Sequence, residues 1–572
     1  MGYKGFVPEI CLNMIVRNEA HIVDEVLRAV APYISSWVIV DTGSDDGTQQ
    51  RIRDRMAELG IPGELHERPW RNFGANRSEA LGLAQRHGDY IWVMDADDTI
   101  VGTPVFGDLD ADVYAMRIND GLTYWRRQLF RTGMPWRYVG VVHEYAECDV
   151  PFTEKRLGGE YHILSRRLGA RNNDPHKYAR DRDLLLAEVQ RCPEDARSTF
   201  YLAESYFNLG DYTNARSWAA RRAEMGGWDE EVYYAMWQVA KCMALLGEPW
   251  PQVQDAYLRA WEYRPTRAEP LHAIAASYRL ERRYRLGYLF AERAAAITVP
   301  DEDILFVATD VYHWRALDEQ AICASWIGKH TEAFTLCRRL LARADLPDSD
   351  RQRIARNRDV SVPAIMQAAT AYPDTLVHSL VDRAHGADVT VSLIACPDRA
   401  VTEQALNSFL RCCTDVRRVG RVLMLDTGMP AQDRQELAAR YPFLEVLDGE
   451  PTDEPLAQLQ RIQQHIGGGL WFHLGRGWRF FAPELLITRL TAILAAEPDV
   501  VQVGVNVGDA QHLTGHCPPE TEVRRATDSG RYVLTQTAAT GPALFDLDRL
   551  NRMSGGGPVT ATLDEVLCIH DG

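Results

Sequence analysis

From residue 9 to about residue 150, short apolar runs alternate with stretches whose apolar positions recur every three or four residues. The runs predict strands and the stretches predict amphipathic helices, a pattern that belongs to a layered α/β structure. Ile10–Val16 reads as a strand, His21–Ala31 as a helix, and Trp37–Val40 as a second strand ending at Asp41. Thr48–Leu59 and Asn76–Arg86 read as helices, and Tyr90–Met94 as a buried strand running into acidic residues. Polar residues follow each strand's carboxyl end, where open α/β sheets place their ligands.

Between about Pro175 and Asn357 the strand pattern disappears and Ala-rich helices take over. Ala203, Tyr206, Gly210, Tyr212 and Ala215 set a spacing of small, aromatic and turn residues. Ala275, Tyr278, Tyr284, Ala291, Ala294 and Pro300 repeat it, as do Ala321, Ala324, Gly328, Ala333 and Cys337. Ala240 and Gly247 mark a less regular copy. Small residues let paired helices approach and aromatics fill the seams, so the spacing resembles tetratricopeptide repeats.

Strands return at Val389–Ala395 and Val422–Leu425, the latter ending in Asp426-Thr427-Gly428. The first region has nearly the same words in Val38-Ile39-Val40-Asp41-Thr42-Gly43. A further apolar strand follows in each, Tyr90–Met94 and Leu470–Leu474, which argues for a second copy of the architecture. What comes next differs: Asp95-Ala96-Asp97-Asp98 in one copy, Gly475-Arg476-Gly477-Trp478 in the other.

Composition narrows the function classes. Of 572 residues, 46% are apolar and 25% charged, values of folded globular protein, and the net charge is −17. An acidic chain lacks the basic face of a general nucleic-acid binder. The amino terminus opens no signal core, and no stretch approaches the roughly 18 apolar residues of a membrane span. Eleven cysteines without a C-x-x-C pair argue against a disulfide framework or zinc finger and for a cytoplasmic location. His512, His516 and Cys517 have some metal-like spacing, read as a loop without a ligand role.

A bare Asp-x-Asp is weak, since Asp108/Asp110, Asp181/Asp183, Asp301/Asp303 and Asp546/Asp548 repeat it. Asp95 and Asp97 stand out because they end a buried strand, and carboxylates there suit a hard divalent cation such as Mg²⁺ or Mn²⁺. Cys11–Glu19, Val40–Thr48 and Met94–Asp98 together resemble the strand, nucleotide-loop and metal motifs of family 2 glycosyltransferases of the GT-A fold. Asn72–Arg77 and Trp136–Glu144 resemble the subgroup fused to tetratricopeptide repeats, and peptide S-glycosyltransferases share the layout.

The resemblance implies roles. Asp41 accepts a hydrogen bond from a nucleotide base, most readily uracil, with Asn18 and Glu19 nearby; Asn76 and Arg77 hold donor phosphates. Asp95 approaches the ribose or metal, Asp97 binds the metal carrying the sugar diphosphate, and His143 is a further metal or phosphate ligand. Glu144 is the general base of an inverting displacement.

The expected architecture is multidomain, α/β plus all-α: a Rossmann-like GT-A domain over 1–165, a helical solenoid over 166–380, and a second GT-A-like domain over 381–572. In that last domain Gly475-Arg476-Gly477 replaces the acids that usually precede a Trp-Arg-Phe-Phe stretch, so it is read as non-catalytic. The expected donor is a UDP-sugar, and the expected acceptor a protein or peptide, such as a secreted peptide, cell-surface protein or virion protein. A polysaccharide or lipid-linked acceptor, and a non-catalytic scaffold, are the alternatives. Oligomeric state stays open, a homo-oligomer included.

Overall fold

The computed structural model describes residues 8–119, 123–166, 168–169, 175–381, 389–451, 454–508, 513, 515–552 and 559–570. The chain divides into two compact units, residues 1–274 with 296–313, and residues 275–295 with 314–572.

The first unit opens as β1 (Ile10–Val16), α1 (Val23–Val30), β2 (Ser36–Asp41), α2 (Thr48–Leu59), β3 (Gly63–Glu67), α3 (Phe73–Ala84) and β4 (Tyr90–Val93). Further strands are β5 (Asp98–Pro104), β6 (Val113–Asn119), β7 (Thr123–Arg131), β8 (Trp136–Val139), β9 (Tyr145–Cys148), β10 (Glu154–Arg156) and β11 (Gly159–Ser165). The main sheet runs β3-β2-β1-β4-β7-β6-β11-β5, with β10 on β6 and a separate β8–β9 pair. Strands β1 to β4 are mutually parallel, and β7 enters antiparallel to both β4 and β6. Strand order reverses at β1, so a crevice opens outside the carboxyl ends of β1, β2 and β4.

Buried parallel strands read as near-continuous apolar runs, and β1 and β4 do. Asn13 interrupts β1 and is satisfied there, donating to the carbonyls of Val38 and Ala80, both at 3.0 Å. Helix α3 starts at Phe73 because the Asn72 side chain accepts from Ala75 N at 2.8 Å.

Helices α4 (Lys177–Arg191), α5 (Ala196–Asn208), α6 (Tyr212–Glu224), α7 (Asp229–Leu245), α8 (Trp250–Tyr263) and α9 (Glu269–Leu280) follow. The second unit adds α10 (Tyr284–Ala295), α11 (Ala316–Trp326), α12 (His330–Leu341), α13 (Asp348–Val360), α14 (Val362–Ala369) and α15 (Asp374–Val381). Ala203, Ala240, Ala275 and Ala321 are at most 1% exposed, as close helix packing requires. After each, a turn residue takes positive φ: Gly210 at +75°, Gly247 at +71°, Arg282 at +59° and Gly328 at +83°. Arg282 stands where the other copies carry glycine, which is why that repeat shows no turn glycine in the sequence.

The second sheet is built from β12 (Val389–Ile394), β13 (Val419–Asp426), β14 (Leu444–Asp448), β15 (Leu470–His473), β17 (Val500–Gly504), β18 (Arg524–Ala526), β19 (Gly530–Thr535), β20 (Ala543–Asp546) and β21 (Val559–Leu563); β16 (Trp478–Phe480) lies outside it. Its order, β14-β13-β12-β15-β20-β17-β21-β19-β18, repeats the first sheet. Three parallel pairings lead to β15, β20 enters antiparallel, and β17 pairs antiparallel with β20 and parallel with β21. Helices and sheet here share one core. Phe334 of α12, Val362 of α14 and Val377 of α15 pack in a single apolar cluster with Val391 of β12 and Phe480 of β16. Arg338 of α12 donates to Glu565 at 2.8 Å and pairs with Glu484.

Candidate active site

Asp41 closes β2 and is 1% exposed. Its Oδ1 accepts from the N–H groups of Gly43 and Ser44, each at 2.9 Å, and from Gln49 Nε2 at 3.1 Å. Gly43 makes this tight turn at φ +103°, where a side chain would be strained. The Asp41 Oδ2 is buried and has no hydrogen-bond partner among the described residues. Such an orphaned acceptor costs about 1–3 kcal/mol, more if charged, and fits an N–H brought in by a ligand.

Asn18 and Glu19 join the loop after β1 to the loop after β2. Asn18, at φ +57°, accepts from Asp45 N at 2.9 Å and donates its own N–H to Ser44 Oγ at 2.8 Å. Glu19 N donates to Thr48 Oγ1 at 2.8 Å. Asp46 accepts from Thr48 N and Ala20 N, each at 3.0 Å, fixing the start of α2.

Beyond β4 lies a charge cluster. Arg77 on α3 donates from Nε to Glu144 Oε1 at 2.5 Å and pairs through Nη2 with Asp95 Oδ1. Arg126 on β7 donates from Nη2 to Asp95 Oδ2 at 3.3 Å and stands 3.7 Å from Asp98 Oδ2. Burial alone would raise the Asp95 carboxyl, but the charges of Arg77 and Arg126 hold it well below the usual carboxylate range. Asp98 is pushed up to about 7 by burial and then by the Asp95 charge, against the pull of Arg126. Asp97 accepts at Oδ2 from Gly169 N at 3.0 Å, and its carbonyl accepts from Arg166 Nε at 3.1 Å.

Thus Arg77, Asp95 and Glu144 are brought together, with Asp97 two residues on from Asp95. Asn76 is drawn inward: fully buried, it donates to Pro69 O at 3.1 Å and accepts from Arg71 N at 2.9 Å. His143, at φ +53°, stacks its exposed ring on Tyr201 of α5, centroids 4.0 Å apart and planes 11° apart. Arg197 of α5 donates to the His143 carbonyl at 3.2 Å. His512 lies outside the described residues.

Among the described residues, no three His, Cys, Asp or Glu side chains converge as a ready-made cation site. A magnesium-type ion needs less, because it keeps waters and is held by one or two carboxylates plus substrate phosphates. Asp97, with Asp95 beside it, fits that mode.

The second sheet repeats one half of this geometry and inverts the other. Asp426 closes β13, is 6% exposed, and accepts at Oδ1 from Gly428 N at 3.0 Å and Met429 N at 2.8 Å. After β15, the guanidinium of Arg476 donates to Thr427 Oγ1 at 2.9 Å. A cation therefore follows β15 and bonds the residue next to Asp426, where carboxylates follow β4 in the first sheet.

Sequence reasoning passed over Arg126, Asp98 and the Arg166–Gly169 contacts. Asp98 had a signal, since it extends the acidic run. Arg126 had one only through pairing: Tyr90 faces Arg131, Ile91 faces Phe130 and Trp92 faces Leu129, a register that carries Asp95 to Arg126.

Residues 11–102 match the model of glycosyl transferase family 2. A TPR repeat-containing protein of Synechococcus elongatus is 33% identical over 93 residues, covering 16% of this chain. The match spans about a fifth of that relative's length, 21%. Among solved structures, YrrB, titled a TPR protein with an unusual peptide-binding site, aligns at 13% identity and TM-score 0.24 over 32% of this chain and 84% of its own. A putative kinesin light chain with TPR-like repeats from Podosopora anserina aligns at 15% and TM-score 0.24 over 29% and 87%.

Proposed function

From a chain in which a family 2 glycosyltransferase domain is fused to tetratricopeptide-type helical hairpins, we propose an enzyme that moves a sugar from a nucleotide diphosphate, UDP-hexose first, to a protein or peptide. One observation carries the reading. At the reversal of strand order, a buried Asp41 oxygen lacking a described partner lies across the crevice edge from the carboxylates after β4.

The chemistry follows from the side chains. Asp41 accepts from the base, and the loop fastened by Asn18 and Glu19 keeps that pocket in shape. The acceptor's nucleophilic atom attacks the anomeric carbon as the bond to the diphosphate oxygen breaks, and the diphosphate leaves with the electron pair. Arg77 holds Glu144 Oε1, so Oε2 is the oxygen that takes the acceptor's proton. Attack from the face opposite the leaving group inverts the anomeric centre. A divalent cation bound by Asp97 and the donor would neutralise the leaving diphosphate.

The protein acceptor is supported by the join between catalytic loop and helices. The ring of His143, next to Glu144, stacks on Tyr201 of α5. A helical array anchored there can hold one part of a polypeptide while presenting another to the donor. The second sheet is proposed to be non-catalytic, since Arg476 puts a positive charge where metal-binding carboxylates would stand.

The test is donor hydrolysis by the pure full-length chain. Release of UDP from UDP-hexose, lost in Asp41→Ala, supports the proposal; no release with any nucleotide sugar favours a scaffold. Transfer to lipid-linked or free glycans in preference to every protein offered overturns the acceptor.

A further inference from the structure

We propose that Arg126 grips the diphosphate of the donor, an inference that rests on the glycosyltransferase reading above. The residues selected from the sequence for that task, Asn76 and Arg77, are committed elsewhere. Asn76 has both ends of its amide bonded to backbone and is fully buried. The Arg77 side chain is 10% exposed, with Nε on Glu144 and Nη2 on Asp95.

Arg126 is different in each respect. Its side chain is 40% exposed, and among the described residues only Nη2 is engaged, by Asp95 at 3.3 Å and Asp98 at 3.7 Å. A guanidinium carries five N–H donors in a planar fork. Nη2 is held by the carboxylates, and among the described residues Nε and Nη1 make no hydrogen bond, which leaves them for a ligand. Its site is also the right one, since the β4–β7 register carries it opposite Asp95, at the carboxyl end of the sheet's central strands. A pinned guanidinium with donors still unused can meet phosphate oxygens singly or through bridging contacts. Charge balance agrees: Asp95, Asp97, Asp98 and Glu144 outnumber Arg77 and Arg126, so an incoming diphosphate needs positive charge presented directly to it. Asp95 then orients Arg126, and Asp97 faces the cation.

Calorimetric titration of the full chain with UDP, GDP and CDP, and with the matching nucleosides, tests this, Mn²⁺ being present throughout. Arg126→Gln should weaken the preferred diphosphate roughly 10- to 100-fold, the worth of a hydrogen bond to a charged group. Binding of the nucleoside should be unchanged, and Arg126→Lys should recover part of the loss. Unaltered diphosphate binding by Arg126→Gln overturns the inference, as does an equal loss for diphosphate and nucleoside, which would mark a merely structural residue. Wild-type protein that binds none of the compounds overturns the glycosyltransferase reading, and this inference with it.

Discussion

Replacing Arg77 by methionine keeps its apolar stem and removes the charge that holds two carboxylates. Arg77 and Glu144 have side chains only 10% and 13% exposed, and Asp95 28%. Breaking a buried pair from one side costs about 3–5 kcal/mol, because the partner charges stay behind unpaired. Arg126 still faces Asp95, so the lower half of that range is expected. At about 1.4 kcal/mol per decade, about 3 kcal/mol speeds exchange of the β4 and β7 amides roughly 100-fold. Hydrogen exchange read by mass spectrometry reports those strands without requiring the whole chain to unfold in one step. Arg77→Met/Glu144→Gln should recover part of the loss, since one stranded charge is gone. The pH dependence has a defined sign. Asp95 is depressed in the folded state, so its contribution is present above its ordinary value of 3.8 and lost as pH falls through the lower folded value. The gap between wild type and Arg77→Met should therefore narrow below about pH 4. A loss under about 1 kcal/mol, or a double variant no better than the single one, would refute the reasoning.

Other consequences follow from the two-sheet comparison and the shared core. Asp41→Ala should abolish nucleotide binding in calorimetry, whereas Asp426→Ala, its counterpart in the second sheet, should leave donor hydrolysis per folded molecule at the wild-type rate. Asp97→Ala should keep the wild-type circular dichroism spectrum but transfer no sugar; excess chelator should silence the wild type, with Mn²⁺ or Mg²⁺ restoring it. Phe334→Ala should lower the denaturation midpoint of the second unit by the equivalent of about 3–5 kcal/mol, because the ring sits in the core joining α12 to the sheet.

Where local pattern and tertiary environment agree, the elements were legible: the strand Ile10–Val16 and the helix Thr48–Leu59 agree with the structure residue for residue. Helix α3 begins before the apolar periodicity shows because Asn72, not Asn76, supplies the cap. Strand β13 starts at Val419, ahead of the apolar run, because exposed Gly420 and half-buried Arg421 break the pattern without breaking the pairing. The strand-end carboxylates were legible because they follow buried apolar runs. Arg126 was not, since its place depends on a β4–β7 register between segments some 35 residues apart. Nor was the commitment of Asn76, whose amide is satisfied by backbone that only the folded loop brings near.

Sugar transfer from a nucleotide donor to a polypeptide, at the crevice of the first sheet, is the proposed activity. Intact mass spectrometry of proteins produced in the same cells as the wild-type chain, or as Asp97→Ala, tests it most directly. Mass additions of whole hexose units, on Ser, Thr or Cys of a small set of proteins and absent with Asp97→Ala, are the predicted result. Identical protein masses in the two cultures, with the wild type demonstrably folded and a nucleotide sugar present, would contradict it.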